Sequence, residues 1–462
     1  MHAKTMTSAP RDREFSVIDP RTDTQISTRS AFTDAEVTAA IERADAAFRE
    51  WRETDLAERA EVLHRIADLH EENARELRRL SILEMGAPPE SVDWGLDVDV
   101  SMYRYYADHG PEFLADEPLD LPDGRGVVVK RPLGVVLGIV PWNALVLLTA
   151  RFAAPNLMAG NTVLVKPPPQ CPESAAAMEQ IARDAGLPES AFTVMYSTHD
   201  QTERIVADPR VHAVSFTGSA AGGAAVAEIA GRHLTRVSLE LGGSDPFVVL
   251  SSDDLDATAA EAVGLRLLVG GQACICAKRF IIADALYEDF VERYIAQGDT
   301  IGPRDPAAPD DATWTLSSRV AADRLQDQLD RAVGQGATLL GGTRAGNVFA
   351  PGLLVDVPAE ADVHDEELFG PIGIAYRARD DDEAVSIANQ TPYGLGAYVF
   401  ASDPDHAARV AERLESGMCF INRGPDVTAP VCFGGVKSSG FGRTHGRWGM
   451  EEFLNQRMIR TA

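Results

Sequence analysis

Apolar runs long enough to cross a bilayer are missing from this 462-residue chain: Gly134 to Val140 falls far short of the roughly 20 residues a spanning helix needs. Met1 to Phe15 lacks the apolar core of a secretory signal peptide. Basic residues are scarce beside acidic ones, 43 against 70, and the formal charge of -27 argues against nucleic acid or an anionic membrane as partner. Cysteines number five, at 171, 274, 276, 419 and 432; an odd count at irregular spacing builds no disulfide framework, shows no metal-ligand spacing and fits a reducing cytoplasm. Internal repeats, low-complexity tracts and disordered linkers are also missing. What remains, with 45% hydrophobic and 24% charged residues, is a globular chain long enough for two or three domains.

Residues 33 to 86 carry helical periodicity. Thr33 and Glu36 are spaced as a capping box, and Val37, Ile41, Ala44, Phe48 and Trp51 recur on one face. From Gly126 onward short β-rich runs alternate with helical ones: Val127 to Lys130, Val135 to Val140, Thr162 to Val165, Phe192 to Met195 and Val211 to Phe216. Such alternation predicts a parallel sheet covered by helices. A second alternating series from about Asp254 to Asn422, with helices near 254 to 268, 286 to 297, 318 to 334, 380 to 389 and 403 to 415, predicts a second α/β domain. Pro122 to Gly126 is a turn signal between Leu119–Leu121 and Val127–Lys130, and predicts a hairpin.

Three segments carry candidate chemistry. Gly270-Gly271-Gln272-Ala273-Cys274-Ile275-Cys276 presents a thiol among small residues that let a substrate carbonyl approach, although a buried cysteine is also a common inert core residue. The strand ending in Thr217-Gly218-Ser219, followed by Gly222-Gly223 and an alanine-rich helix, suits a phosphate at a helix N-terminus. Its spacing is not GxGxxG, and an ordinary turn reads the same way. Glu240 ends the strand Val237-Ser238-Leu239 before Gly242-Gly243, where partial desolvation would raise its pKa, or where it could sit as a solvated strand-end acid.

Taken in order, Pro141-Trp142-Asn143, Asn161 to Pro167, Phe216-Thr217-Gly218-Ser219, Glu240-Leu241-Gly242-Gly243, Gly271-Gln272-Ala273-Cys274, Glu367-Leu368-Phe369-Gly370-Pro371 and Phe433-Gly434-Gly435 resemble the aldehyde dehydrogenase superfamily from about Ile18 to the C-terminus. That resemblance implies an α/β fold with a Rossmann-type dinucleotide-binding domain (1–114 and 132–241), an α/β catalytic domain (242–443) and a small β oligomerisation arm (115–131 and 444–462) of a homodimer or homotetramer. It implies Cys274 as nucleophile toward an aldehyde, with the thiohemiacetal oxyanion held by the Asn143 amide and the Cys274 N–H. Hydride loss to a nicotinamide leaves a thioester, for whose hydrolysis Glu240 is the base. Glu240 favours release of an acid over transfer to coenzyme A. On the cofactor, NAD or NADP, the resemblance puts Lys166 at the adenosine ribose, Gly218 and Ser219 at the pyrophosphate, Trp142 along the molecule, and Glu367 with Phe369 at the nicotinamide ribose and ring. No metal is implied.

NAD-preferring members commonly carry a glutamate three residues after the lysine; here Lys166 is followed by Pro167-Pro168-Pro169, which cannot repel a 2′-phosphate, and Gln170 is the neighbouring polar group. Within the superfamily the chain is most similar to the succinate-semialdehyde dehydrogenase branch. Its carboxylate-binding arginine, eight residues past the oxyanion asparagine, matches Arg151, and its serine hydroxyl matches Thr428. A second arginine of that branch is Leu268 here, with Arg423 a possible replacement charge. Some members share the Cys-x-Cys pattern and oxidise it, so Cys276 is a candidate redox partner of Cys274; a packed thiol is the alternative. Other expectations consistent with the sequence are a dehydrogenase for an uncharged or biosynthetic aldehyde, an acylating enzyme, and a catalytically silent protein that kept the fold.

Overall fold

The computed structural model describes residues 14–122, 124–301 and 315–461. A two-stranded hairpin, β1 (Glu14–Asp19) and β2 (Thr24–Ser30), precedes four helices: α1 (Asp34–Trp51), α2 (Leu56–Glu72), α3 (Ala74–Met85) and α4 (Pro89–Phe113). The capping box forms: the Thr33 side chain accepts from the Glu36 N–H while Glu36 accepts from the Thr33 N–H. Val37, Ala40, Ile41, Ala44, Phe48 and Trp51 form the buried face of α1, as the periodicity predicts.

β3 (Glu117–Leu121) and β4 (Gly124–Pro132) pair antiparallel from Leu121↔Gly124 outward, giving the expected hairpin, although Asp123 of its turn lies outside the described residues. The C-terminal strand Leu454–Thr461 pairs along the other edge of β4, making a three-stranded sheet.

The first large sheet contains β5 (Val135–Ile139), β6 (Thr162–Lys166), β7 (Phe192–Val194), β8 (Val211–Thr217) and β9 (Arg236–Glu240), all parallel. Its order runs β9-β8-β5-β6-β7, so the winding reverses between β5 and β8. Helix α5 (Leu145–Ala159) follows β5 and is buried along nearly its whole length, which is why its sequence shows no polar face. Gly440–Phe441 adds an antiparallel strand beside Leu239–Glu240, a pairing too short to leave a sequence pattern.

The second sheet has seven strands: in spatial order Thr338–Gly341, Gly352–Val355, Ile372–Ala378, Ala277–Ala283, Asp245–Val249, Tyr398–Phe400 and Phe420–Ile421. All but the first are parallel. The helices Leu255–Arg266, Tyr287–Thr300, Arg319–Gly334, Asp381–Asn389 and Pro404–Ala411 match the second helical series. Among the described residues no helix is long and apolar enough to cross a membrane.

Candidate active site

The carboxyl ends of the first sheet's strands carry four of the expected cofactor residues and two of the expected catalytic ones. Trp142 and Asn143 follow β5, Lys166 ends β6, Gly218 and Ser219 follow β8, and Glu240 ends β9. In an open parallel sheet the crevice outside the strand ends, where the winding reverses, is where a ligand fits. Ser219 caps the helix Ala220–His233, its hydroxyl accepting the Gly222 N–H at 3.2 Å. A Cβ on Gly218 or Gly222 would come within 2.8 Å of the Phe216 ring, so both stay bare and the backbone remains open to an anion. The Lys166 ammonium is buried, which pulls its pKa down to about 8. The Gln170 side-chain nitrogen is a buried donor without a partner among the described residues, and Pro169 beside it is exposed. Trp142 and Phe369 meet edge to face at 5.7 Å. A helix N-terminus, a buried cation, an orphan donor and two aromatic faces together fit a dinucleotide.

The turn that carries Cys274 is built on unusual backbone. Val269, Gly270 and Gly271 take φ of 52°, 65° and 80°, and a Cβ at Gly271 would lie 2.4 Å from the Gly370 carbonyl carbon. Glycine is required at 271 by both its conformation and its neighbour. Arg266, fully buried at the end of its helix, donates to Gly271 O at 2.8 Å, Leu368 O at 3.0 Å and Gly370 O, tying the turn to the Glu367 loop. Cys274 is half-buried, and burial pushes its thiol up to about 12 against the opposing pull of Lys278 and Arg151. Asn143 Nδ2 donates to Gln272 O at 2.9 Å, which puts the amide beside the turn. Cys276 is fully buried, its sulfur donating to Leu268 O at 3.4 Å, and both thiols are free.

Glu240 is 3% exposed, and neither carboxylate oxygen has a hydrogen-bond partner among the described residues. Burial raises its pKa to about 8, with Arg151 and Arg443 pulling the other way. Gly434, at φ 151°, lies against this carboxylate: a Cβ there would meet Oε1 at 2.8 Å. The carboxylate is therefore mostly protonated at pH 7 and gains its proton-accepting form toward pH 8, a range in which a general base can work.

Glu367, the third acid of the run Asp365-Glu366-Glu367, lies inside the site. Its Oε1 accepts the Gly243 N–H at 3.1 Å and pairs with Lys278 Nζ at 3.1 Å. Lys278 is 1% exposed, and its other donors go to Ala273 O at 3.0 Å and Cys274 O at 2.8 Å. Asp245, also buried, faces the same space. Neither Lys278 nor Asp245 is marked by any sequence motif used above.

The expected substrate anchor is only partly assembled. Arg151 is 6% exposed, donates to Thr217 Oγ1 at 3.0 Å, and stands 5.2 Å over the Phe433 ring. No carboxylate pairs with it among the described residues. Thr428 is exposed and its hydroxyl is committed to Asp426 at 2.6 Å. Arg423 is exposed and pairs with Asp426 at 3.6 Å, so it supplies no buried replacement charge. Leu268 packs on the apolar core. A residue that sequence reasoning missed is His445, 2% exposed, ring 5.2 Å from Phe433, facing the Thr428 backbone and with no side chain among the described residues hydrogen-bonded to either ring nitrogen. Burial, then Arg151, holds it well below the ordinary histidine range and therefore neutral.

A family model described as the aldehyde dehydrogenase family matches residues 6–459. The chain belongs to the aldehyde dehydrogenase family. This aldehyde dehydrogenase is 46% identical, over 100% of its length and 97% of the relative's, to the NADP(+) succinate-semialdehyde dehydrogenase of Deinococcus radiodurans. It is 38% identical to that of Mycobacterium avium over 96% of each chain. A solved structure of succinic semialdehyde dehydrogenase from Streptococcus pyogenes with NADP+ superimposes with a TM-score of 0.94 at 34% identity, covering 96% of this chain and 99% of that one. As an aldehyde dehydrogenase the protein is an oxidoreductase that acts on a small-molecule aldehyde with NAD or NADP as hydride acceptor.

Proposed function

We propose that this aldehyde dehydrogenase oxidises a short ω-carboxy aldehyde of the succinic semialdehyde type to the dicarboxylic acid, with NADP+ as the preferred acceptor. The observation that carries the substrate reading is Arg151: a buried guanidinium without a carboxylate partner among the described residues, on the helix that follows Asn143. An unpaired buried cation is costly unless a ligand completes it, and a guanidinium takes a carboxylate in two parallel bonds. The names of the relatives point the same way.

The chemistry follows from the residues around it. Cys274, as thiolate, adds to the aldehyde carbon, and the oxyanion is received by the Asn143 amide and the Cys274 N–H. A bound nicotinamide supplies the hydride acceptor, and the residues that would hold it are Lys166, Gly218, Ser219, Trp142, Phe369 and Glu367. The thioester left on Cys274 is opened by water whose proton passes to Glu240. In balance, aldehyde, water and NADP+ give acid, NADPH and a proton.

Arg151→Ala is expected to lower kcat/KM for succinic semialdehyde by on the order of 10²-fold, the scale of losing one member of a buried charge pair. Uncharged aldehydes should change little. Equal losses on both would remove the anchor. An apolar hollow beside Asn143, lined by Met85, Val92, Trp94, Leu96 and Leu147, supports the second reading, an uncharged aldehyde; the same substrate panel decides between them.

For the cofactor, Pro169 puts no negative charge beside a 2′-phosphate. Pro169→Glu is therefore expected to shift the NADP+/NAD+ ratio of kcat/KM toward NAD+ by on the order of tenfold, by like-charge repulsion at an exposed site; an unchanged ratio would locate the preference elsewhere. The sheet formed by β3, β4 and Leu454–Thr461 is our candidate for the arm that joins copies into a homodimer or homotetramer, alongside a dinucleotide-binding domain (1–114 and 132–241) and a catalytic domain (242–443). Its outer edges need covering, which supports that role. Five free thiols support a reducing cytoplasm as the working compartment.

A further inference from the structure

The nucleophile turn rests on an ammonium that the reaction itself does not require. Lys278 is the second residue of the second sheet's strand Ala277–Ala283, four residues after Cys274, and its side chain turns back beneath the turn instead of outward. At 1% exposure it has three partners: the carbonyls of Ala273 and Cys274, at 3.0 and 2.8 Å, and the Glu367 carboxylate at 3.1 Å. Three donors thus meet three acceptors, and two of those acceptors belong to the residues that aim the thiol. The ring of Phe369 stands 5.9 Å from the same ammonium, so one cation touches both the turn and the Glu367–Phe369 loop.

A second carboxylate waits beside it. Asp245 is 1% exposed and lies against the Gly396 backbone, and no side chain among the described residues hydrogen-bonds to either oxygen. It stands at Gly243, where a Cβ would meet Asp245 Oδ1 at 2.8 Å and Cys274 O at 2.7 Å, so the carboxylate and the nucleophile's carbonyl share one small space. Burying an ammonium against a single carboxylate that lies in the cofactor crevice would leave the cation stranded whenever that carboxylate turned to a ligand. Asp245 supplies the second counter-charge.

We propose that Lys278 is a positioning residue of the oxidation, a buried cation that fixes the carbonyl side of the Cys274 turn, favours the thiolate and docks Glu367, with Asp245 as its reserve counter-charge. The proposal rests on the reading of Cys274 as nucleophile. The charged and titratable groups that act on the thiol are Lys278 and Arg151, which favour its ionisation, and Glu367 and Asp245, which oppose it. Tyr398, which donates to Ile275 O at 2.6 Å, is the nearby phenol, and burial holds it un-ionised. Lys278 and Asp245 therefore act with opposite sign.

The test follows the rate of iodoacetamide alkylation at Cys274 against pH, read by peptide mass, in the intact wild-type, Lys278→Met and Asp245→Asn proteins. Below the thiol's midpoint the rate follows the thiolate fraction, so Lys278→Met is expected to slow alkylation near neutrality by on the order of tenfold. Asp245→Asn is expected to speed it. An unchanged rate in Lys278→Met, or changes of the same sign in both variants, would overturn the proposal, because a packing defect loosens the turn without regard to charge. If Lys278→Met does not fold, Asp245→Asn decides: a faster rate supports the proposal, and an unchanged or slower one overturns it. Alkylation is read without turnover, so turnover surviving in Cys274→Ala would refute the nucleophile reading separately.

Discussion

Cys274→Ala is expected to abolish aldehyde-dependent cofactor reduction, with kcat/KM falling by on the order of 10⁴-fold or more, the scale of removing a covalent nucleophile. That is roughly 5.5 kcal/mol of transition-state stabilisation, at about 1.4 kcal/mol per tenfold. Removing one sulfur from a half-buried position beside Ala273 leaves the turn's fixed points, the bonds from Arg266 and Lys278 to its carbonyls, in place. Cofactor affinity and melting temperature should therefore stay near wild type. A variant that loses turnover together with cofactor affinity or fold would point to a structural role for the residue. One that keeps turnover would remove the nucleophile from the account.

The second large effect is expected of Glu240→Gln, which keeps shape and removes the base. Acylation and hydride loss should proceed, so a rapid-mixing trace should show one equivalent of reduced cofactor per site, followed by a steady rate on the order of 10²- to 10⁴-fold below wild type. Lack of a burst together with a slow steady rate would place Glu240 in the first half-reaction. In the wild-type enzyme the carboxylate must be ionised to accept a proton, and its pKa is raised to about 8. Hydrolysis-limited turnover should climb about tenfold per pH unit below that value and level off above it.

The same raised pKa makes a stability prediction. Between its ordinary value of 4.5 and about 8, Glu240 carries a proton in the folded state and not in the unfolded one. Stability then falls as pH rises across that window, because the folded state binds more protons. Glutamine at 240 removes this slope, so Glu240→Gln should melt above wild type at pH 8 to 9, and the gap should close toward pH 5. A carboxylate buried without partners among the described residues thus costs the fold some of its stability.

The order of motifs made most of the site legible in the sequence, because each sits at a strand end or tight turn whose glycines and prolines are fixed by backbone geometry. Gly218 and Gly271 belong to that class: close approach or positive φ leaves no other residue. The parallel sheets were legible for a similar reason, since buried strands such as Thr162–Lys166 are built on a continuous apolar run, here Val163-Leu164-Val165. Lys278, Arg266 and His445 were not. Lys278 and Arg266 find most of their partners among backbone carbonyls, which every residue carries, so no spacing marks them. His445 is defined by what surrounds it rather than by its neighbours in the chain. Thr428 matched by position, yet its hydroxyl bonds to Asp426 two residues away, a local choice that alignment to a branch pattern does not reveal. The Glu367 environment was hidden in the same way, because a run of three acids reads as surface until Lys278 is seen inside.

The central claim is that oxidation passes through an acyl group on Cys274 that Glu240 releases. The most direct measurement is the mass of the Cys274 peptide after acid quench of Glu240→Gln mixed with succinic semialdehyde and NADP+. A succinyl group is expected on Cys274, formed only with both reagents present and removed by hydroxylamine. An unmodified Cys274 peptide during the burst, or the acyl group on another residue, would contradict it.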